Sequence, residues 1–112
     1  KITILNFKKV SQMYIAMNRF KIISGKEDKF EKIWKERETH LDQVPGFKKF
    51  NLVRGVSNDD YTLYASHSTW NSEKSFIDWT KSEAFRMAHK DAGKHRGLYI
   101  GHPEFEGFKV VI

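Results

Sequence analysis

A tryptophan and a histidine lie near each other in the segment DWTKSEAFRMAH, at residues 78–89. Trp79 and His89 are ten residues apart, and in one unbroken helix that spacing turns through about 1000° and leaves the two side chains on different faces. The letters TKSE, however, form a capping box with Thr80 as N-cap and Glu83 three residues later, which predicts that a second helix begins there. Two helices that meet at an angle can direct both side chains into one cavity. The pattern indicates either ordinary packing with a surface histidine or a flat aromatic ligand held over the imidazole.

The residues around His89 leave room for a planar ligand. Five neighbours surround it along the chain: Phe85, Ala88, Ala92, Gly93 and Arg96. The small residues among them let a broad planar group approach the helix, and Arg96 with the nearby Lys94 can meet carboxylates on that group. An imidazole that binds iron from one face is the commonest protein ligation of haem. The alternative for a lone histidine is a position near the end of an ordinary amphipathic helix. The other histidines lack such a platform: His40, His67, His95 and His102.

Asn18 is a polar residue on an otherwise apolar strand face. In YIAMNRFKI the side chains alternate with period two, and this face also carries Tyr14, Ala16, Phe20 and Ile22. A buried amide without a hydrogen-bond partner costs about 1–3 kcal/mol. Either the backbone satisfies Asn18, or its amide donates into a dry pocket where it can bond a metal-bound oxygen.

The composition is that of a single globular domain. The chain has 112 residues, 39% hydrophobic and 30% charged. No segment approaches the roughly 20 apolar residues that span a bilayer, and none has the pattern of a secretory signal, so a cytoplasmic protein without a membrane partner is expected. Because cysteine is absent, disulfides, thiolate metal sites and cysteine nucleophiles are excluded. The net charge of +6 and the 14% of aromatic residues fit either nucleic acid or a flat anionic ligand.

Hydrophobic periodicity predicts the order β-α-β-β-α-β with a broken second helix. The predicted elements are a strand at 14–22, a helix with Ser24 as N-cap, strands at 47–55 and 61–69, a helix capped by Asn71 or Ser72 that breaks near Thr80, and a closing strand in FEGFKVVI. This α+β order is the ferredoxin-like split βαβ arrangement, an antiparallel sheet with helices on one face. Its bare face predicts a homodimer, with Tyr64, Phe50 and Val111 as candidate contacts.

Missing motifs argue against several other chemistries. The chain has no phosphate-cradling Gly-rich loop, no HExxH zinc motif and no nucleophile elbow. An RNA-recognition module shares the order of elements, but its third strand requires a pattern close to K/R-G-F/Y-G/A-F-V-x-F/Y. Here that strand is YTLYASHST, without a glycine or a basic start. Nucleic acid is therefore not expected as a partner.

From residue 13 to the C-terminus the chain resembles haem-degrading monooxygenases of the IsdG and HmuQ type, within the antibiotic-biosynthesis monooxygenase superfamily. The segments that carry the resemblance are MYIAMNRFKIISGKEDKFEKIWKERE, VPGFKKFNLVRG, YASHSTW and DWTKSEAFRMAHK. The block at residues 68–90 is the most specific of them. The asparagine, tryptophan and histidine positions of the family fall on Asn18, Trp79 and His89.

The resemblance implies a dimer of ferredoxin-like subunits whose sheets pack into an α+β barrel, with one haem per subunit between sheet and helices. Haem would be both substrate and cofactor. O2 and electrons from a reductase or a small-molecule reductant would open its ring and release iron and a linear tetrapyrrole. His89 would be the proximal iron ligand, Trp79 would press on the porphyrin and ruffle it, and Asn18 would hydrogen-bond the oxygen on the distal side. Haem would also contact Phe85, Ala88, Ala92, Gly93 and Arg96.

Two related functions remain as alternatives. A haem carrier would have the same pocket without turnover, whereas a cofactor-free quinol monooxygenase of the same superfamily would need neither His89 nor the small residues beside it. The first twelve residues, KITILNFKKVSQ, precede Met13, where the resemblance begins. They are expected to be an N-terminal extension, native or vector-derived, ahead of a domain at 13–112.

Overall fold

The computed structural model describes residues 13–90 and 92–112, so the predicted extension at 1–12, Asp91 and the side chain of Ala92 lie outside the described residues. The strands are β1 (Tyr14–Ile23), β2 (Phe47–Ser57), β3 (Tyr61–Trp70) and β4 (Glu104–Lys109); the helices are α1 (Glu27–Glu36), α2 (Glu73–Thr80) and α3 (Glu83–His89); short 3-10 segments lie at Leu41–Gln43 and Ala92–Leu98. These elements follow the predicted order, with the second helical region divided into α2 and α3.

The four strands form one antiparallel sheet in the order β2-β3-β1-β4. Strand β1 is central, because it pairs with β3 along its length and with β4 over its first part. Asn18 of β1 lies opposite Ser66 of β3 and Phe105 of β4. This strand order and the helices between the strands are those of the ferredoxin-like fold, which confirms the predicted fold class.

The helix-covered face of the sheet carries two buried clusters. The first consists of Phe20, Ile22, Phe30, Tyr64 and Leu98, and the second of Tyr14, Ala16, Leu41 and Trp70. Since alternate residues of a strand share a face, β1 contributes to both clusters and Asn18 lies between its two contributions. The core is thus divided at Asn18, and the cavity of the candidate site lies at this division.

Helices α2 and α3 are each capped by a serine. Ser72, one of the two predicted alternatives, caps α2, because its hydroxyl accepts a hydrogen bond from the Ser75 amide at 3.1 Å. The prediction that Thr80 caps α3 is wrong. Ser82 does so instead, accepting from the Phe85 amide at 3.2 Å, while Thr80 is the last residue of α2. The break between the two helices therefore falls where it was predicted, with a different residue as its cap.

Helix α1 begins without a side-chain cap, so the prediction for Ser24 is also wrong. The Ser24 hydroxyl donates to the carbonyl of Asn58, and this bond ties the end of β1 to the β2–β3 turn. Glu27 accepts instead from the amide of Gly25, which precedes the helix. Within the described ranges, no helix combines the length and the apolar character needed to cross a membrane.

Among the described residues, no helix covers the other face of the sheet, here called the uncovered face. Strand alternation and register place on it Ile15, Met17, Val53, Leu63, Ala65 and Phe108. The prediction that Tyr64 and Phe50 lie on this face is wrong. Tyr64 packs against Phe30, with ring centroids 4.8 Å apart, and Phe50 stacks on Trp34 at 5.5 Å, both on the helix side. Val111 lies beyond β4 and is exposed.

Candidate active site

Two adjoining chambers open between the sheet and the helices. The inner chamber has a volume of about 420 Å³ and the outer chamber about 540 Å³. Their common wall consists of Asn18, Trp34, Arg37, Ser66 and His89. Most of the remaining inner lining is apolar or aromatic, whereas the outer chamber extends to the polar loop that precedes β4. Two of the three predicted site residues, Asn18 and His89, therefore face both chambers.

The imidazole of His89, the last residue of α3, is held by Phe85 one turn earlier. Its Nδ1 lies 2.8 Å from the carbonyl oxygen of Phe85, and the two rings stack with centroids 4.1 Å apart. Because a carbonyl can only accept, Nδ1 carries the proton and Nε2 keeps its lone pair. This is the tautomer that a histidine needs in order to bind a metal through Nε2.

The protonation state of His89 suits the same role. Burial lowers the pKa of His89 below its ordinary value, the hydrogen bond to Phe85 opposes that change, and the guanidinium of Arg37 lowers the pKa further. The imidazole is consequently neutral at pH 7, with the Nε2 lone pair available.

Trp79 lies at the C-terminal end of α2 and forms a wall of the inner chamber. It meets Phe85 edge-on, with ring centroids 4.8 Å apart, and its centroid lies 6.0 Å from that of His89. Behind it lies the fully buried Trp70, at 5.2 Å. The turn between α2 and α3 thus brings Trp79 and His89 to one cavity, as the interrupted helix pattern predicts.

Asn18 presents its amide to the chambers from the middle of β1. It is half-buried and lines both chambers, and its side chain makes no hydrogen bond to any other described residue. Since the amide faces an open space, it does not carry the full desolvation cost of a buried polar group without a partner. Its donor and acceptor are both available to a ligand.

The other predicted contact residues divide between the chambers. Phe85 and Ala88 line the inner chamber, whereas Gly93 and Arg96 line the outer one. A Cβ at Gly93 would meet no atom within 4 Å, so this position faces open space. The side chain of Ala92 lies outside the described part of the chain.

Arg37 was missed by the sequence reasoning, although it lines both chambers. It is the C-cap of α1, and its guanidinium carbon lies 4.2 Å from the ring centroid of Trp34. The sequence does hold one signal for it: Arg37 follows Trp34 by three residues, so a cation continues the apolar stripe of the helix. Tyr99, in the outer chamber, was missed as well. Burial raises the pKa of its phenol, which is therefore neutral.

A single imidazole in an apolar chamber suits a metal that another group already holds. Among the described residues, no group of three or more His, Cys, Asp or Glu is placed to bind a metal ion. Haem iron has four porphyrin nitrogens and can take one histidine from the protein. The donor set of the cavity therefore fits haem better than a free metal ion.

Comparison with known proteins identifies relatives of the chain. Residues 13–91 match the family described as antibiotic biosynthesis monooxygenase. A heme-degrading monooxygenase of Bacillus cereus strain B4264 is 33% identical over an alignment of 97 residues, and the match covers 83% of this chain and 79% of that protein. A heme-degrading monooxygenase of Bacillus thuringiensis strain Al Hakam is 31% identical over an alignment of 85 residues, and the match covers 72% of this chain and 75% of that protein.

Solved structures of the same fold differ in their chemistry. The heme-degrader MhuD of Mycobacterium tuberculosis, with two hemes bound in its active site, has a TM-score of 0.68 at 24% identity, over 88% of this chain and 96% of that one. The cofactor-independent oxygenase SnoaB of Streptomyces nogalater has a TM-score of 0.62 at 22% identity, over 87% of this chain and 91% of that one. The fold is therefore common to both chemistries, and the function has to be argued from the residues of the site.

Proposed function

Because the chain belongs to the antibiotic biosynthesis monooxygenase family, we propose that it is an oxygenase whose substrate is haem. It would use O2 and an external reductant to open the porphyrin ring and release iron and a linear tetrapyrrole. The observation that carries this proposal is the neutral imidazole of His89, whose Nδ1–H donates a hydrogen bond to the Phe85 carbonyl, so that Nε2 is left for a metal at the cavity wall. The two Bacillus relatives named heme-degrading monooxygenase add support.

His89 would anchor the substrate. When bound, haem supplies the iron that activates O2 and the ring carbons that are oxidised. Nε2 of His89 would hold the iron, and the Phe85 carbonyl would hold the proton at Nδ1 and keep the ring from rotating. Phe85, Ala88 and the other apolar residues of the inner chamber would exclude water from the macrocycle.

Asn18 and Trp79 would act on the reacting ring from two sides. The Asn18 amide has no partner among the described residues and can donate to an oxygen atom in the chambers. Trp79 is backed by Trp70 at 5.2 Å, so it cannot retreat when a porphyrin presses on it. A rigid side chain against one part of a flat ring favours a ruffled ring, and the resemblance assigns that role to Trp79.

The cofactor-free alternative is less well supported by the site. An oxygenase that acts without haem needs no metal ligand, yet His89 is held in the metal-binding tautomer beside an apolar space. The haem-carrier alternative shares the whole pocket, including His89 and Asn18, although an amide donor such as that of Asn18 would serve turnover and would not be needed for storage. Turnover therefore distinguishes the proposed enzyme from a carrier.

A haem titration followed by reduction tests the proposal. Adding haemin to the purified protein should produce a shifted, intensified Soret band. Ascorbate in air, with catalase present to remove free hydrogen peroxide, should then make that band decay while a chelator reports released iron. A Soret band that persists under these conditions would identify a haem carrier. The absence of any Soret shift would exclude haem as the ligand of this protein.

We also propose that residues 13–112 form the working domain and that residues 1–12 are an extension of it, since the family match begins at residue 13. The working form would be a homodimer, because the uncovered sheet face carries apolar side chains at its centre. Removing residues 1–12 should leave haem affinity and turnover within about twofold, a change below about 0.5 kcal/mol.

A further inference from the structure

Ser66 lies in the middle of β3 and lines both chambers, and the roles proposed above do not use it. It is the antiparallel partner of Asn18 in β1. Directly opposite residues of two such strands share a face of the sheet, with Cβ atoms about 4.5–5.5 Å apart. The hydroxyl of Ser66 and the amide of Asn18 therefore lie side by side, at the point where the buried core is divided.

The hydroxyl of Ser66 differs from the other serine and threonine hydroxyls of the chamber lining. Three others line the inner chamber, and each has a hydrogen-bond partner in the protein: Thr39, Ser68 and Thr80. Ser68, for example, accepts from the Trp70 indole at 2.9 Å, and Thr80 donates to the Ile77 carbonyl at 2.6 Å. The side chain of Ser66 makes no hydrogen bond to any other described residue. Its hydroxyl is therefore available to a ligand.

The sheet around Ser66 offers it little else to bind. Leu52 of β2, its partner on the other side, is apolar. Tyr64 precedes Ser66 by two residues on the same face and already donates to a carboxylate of α1, and Ser68 follows with its hydroxyl engaged by an indole. Among these neighbours in the described sheet, Asn18 is the one whose polar group is also uncommitted. The two available groups thus form a pair, here called the Asn18–Ser66 pair.

The Asn18–Ser66 pair and His89 belong to opposite layers of the molecule. The pair lies on the sheet, whereas His89 belongs to α3, and all three side chains line both chambers. A flat ligand that is held by Nε2 of His89 between the layers therefore turns its other face to the pair. A hydroxyl and an amide together offer donors and acceptors, so the pair can meet both atoms of a small ligand on that face.

We propose that Ser66 is a specificity-determining residue, whose hydroxyl acts with the Asn18 amide to hydrogen-bond a small acceptor, such as O2 or fluoride, on the sheet side of the haem. The inference rests on the proposed function for the presence of haem and goes beyond it in assigning Ser66. A single donor leaves a bent two-atom ligand free to rotate. Two donors on neighbouring strands, about 5 Å apart, select one direction.

The test measures the binding of two small ligands to the haem-loaded protein. Fluoride, which accepts hydrogen bonds strongly, is titrated into the haemin complex, and carbon monoxide, which accepts them weakly, into the reduced complex without air. Ser66→Ala should weaken fluoride binding about tenfold, equivalent to about 1.4 kcal/mol, and leave carbon monoxide affinity within about twofold. Ser66→Thr keeps the hydroxyl and should bind fluoride as the wild-type protein does. Absorption spectra report both titrations.

Thr80→Val is the matched control, because it removes a hydroxyl of the inner chamber that is already bonded to the Ile77 carbonyl. It should leave both affinities unchanged. Wild-type fluoride affinity in Ser66→Ala, or an equal loss of carbon monoxide affinity, would overturn the assignment of Ser66. A wild-type haemin complex that binds no fluoride would overturn it as well. Loss of haemin binding in Ser66→Ala would show that Ser66 holds the macrocycle instead.

Haem turnover, measured in parallel, separates this inference from the proposed function. If haem is bound and degraded while fluoride affinity is independent of Ser66, only the inference about Ser66 is wrong. If fluoride affinity depends on Ser66 but haem persists in the presence of ascorbate, the inference holds and the protein is a haem carrier. If haemin gives no Soret shift with the wild-type protein, the proposed function and the inference both fall.

Discussion

Nδ1 of His89 lies 2.8 Å from the carbonyl oxygen of Phe85, one helical turn earlier in α3. The orientation of the imidazole therefore depends on main-chain geometry and on ring stacking at 4.1 Å, and none of the carboxylates that the structure describes is hydrogen-bonded to it. A main-chain acceptor survives substitution of the Phe85 side chain. The availability of Nε2 is accordingly a property of the helix itself, and the side chains around it determine what reaches that atom.

His89→Ala should weaken haemin binding more than about tenfold, equivalent to about 1.4 kcal/mol, because the iron loses its protein ligand. Turnover with ascorbate should fall below detection. The measurement is the Soret band in a haemin titration. Added imidazole provides the control, since it should enter the space left by the side chain and restore a wild-type-like band. A variant with an unchanged spectrum before imidazole is added would show that His89 is not the ligand.

Asn18→Ala should retain the Soret band and lose most of its turnover, because only a donor amide in the chamber is removed. Loss of one positioned donor raises a barrier by about 3 kcal/mol, so a decrease of about 100-fold is expected. Single-turnover decay of the Soret band measures this effect. Asn18→Asp is the matched variant, since it keeps the shape and replaces the amide donor by an acceptor. Wild-type decay in Asn18→Ala would exclude a role in turnover.

Trp79→Phe and Trp79→Ala should differ in stability more than in haem binding. The alanine variant loses the contacts to Trp70 and Phe85, and about 3 kcal/mol of unfolding free energy is expected to be lost with them. The phenylalanine variant keeps much of this packing. Both should bind haem, and ring opening should slow more in Trp79→Ala, which leaves a flatter porphyrin. Chemical unfolding gives the stability and Soret decay gives the rate; equal rates in all three proteins would contradict the proposed ruffling.

The protein should be a homodimer in light scattering at micromolar concentration. Val53→Arg, on the uncovered sheet face where this side chain is 44% exposed in the single chain, should yield a monomer, because a buried guanidinium without a partner opposes association. Ile77→Arg introduces the same side chain on helix α2 and should remain dimeric. A wild-type monomer, or dissociation by both variants, would contradict assembly through the sheet.

Stability should fall on acidification through the loss of one specific hydrogen bond. Thr62 donates to the Glu27 carboxylate at 2.7 Å, and this bond lowers the pKa of Glu27 below its ordinary value of 4.5. The unfolded chain then binds a proton more readily than the folded one, so the contribution is complete above about pH 4.5 and is lost as the pH falls below it. Thr62→Val should flatten the dependence of unfolding free energy on pH in that range. An unchanged slope would show that the bond contributes nothing.

Much of the fold could be predicted because its signals are local. The alternation around Asn18 shows which residues of β1 share a face, and the break near Thr80 is readable from polar residues within one turn. The predicted N-caps were less accurate, since several serines and threonines within a few residues of one another can each occupy the N-cap position of a helix. Ser82 prevails over Thr80 because its extended backbone, at φ −91° and ψ 163°, lets the hydroxyl meet the Phe85 amide.

What the sequence determined by itself is the order of the elements and three candidate site residues, Asn18, Trp79 and His89, because periodicity and residue chemistry are properties of short segments. Only the tertiary structure decided that Tyr64 faces the helices, since the face of a strand reverses with a change of one residue in register. It also decided that Arg37 shares a cavity wall with His89. These residues are far apart along the chain, and their proximity depends on how the helices pack on the sheet.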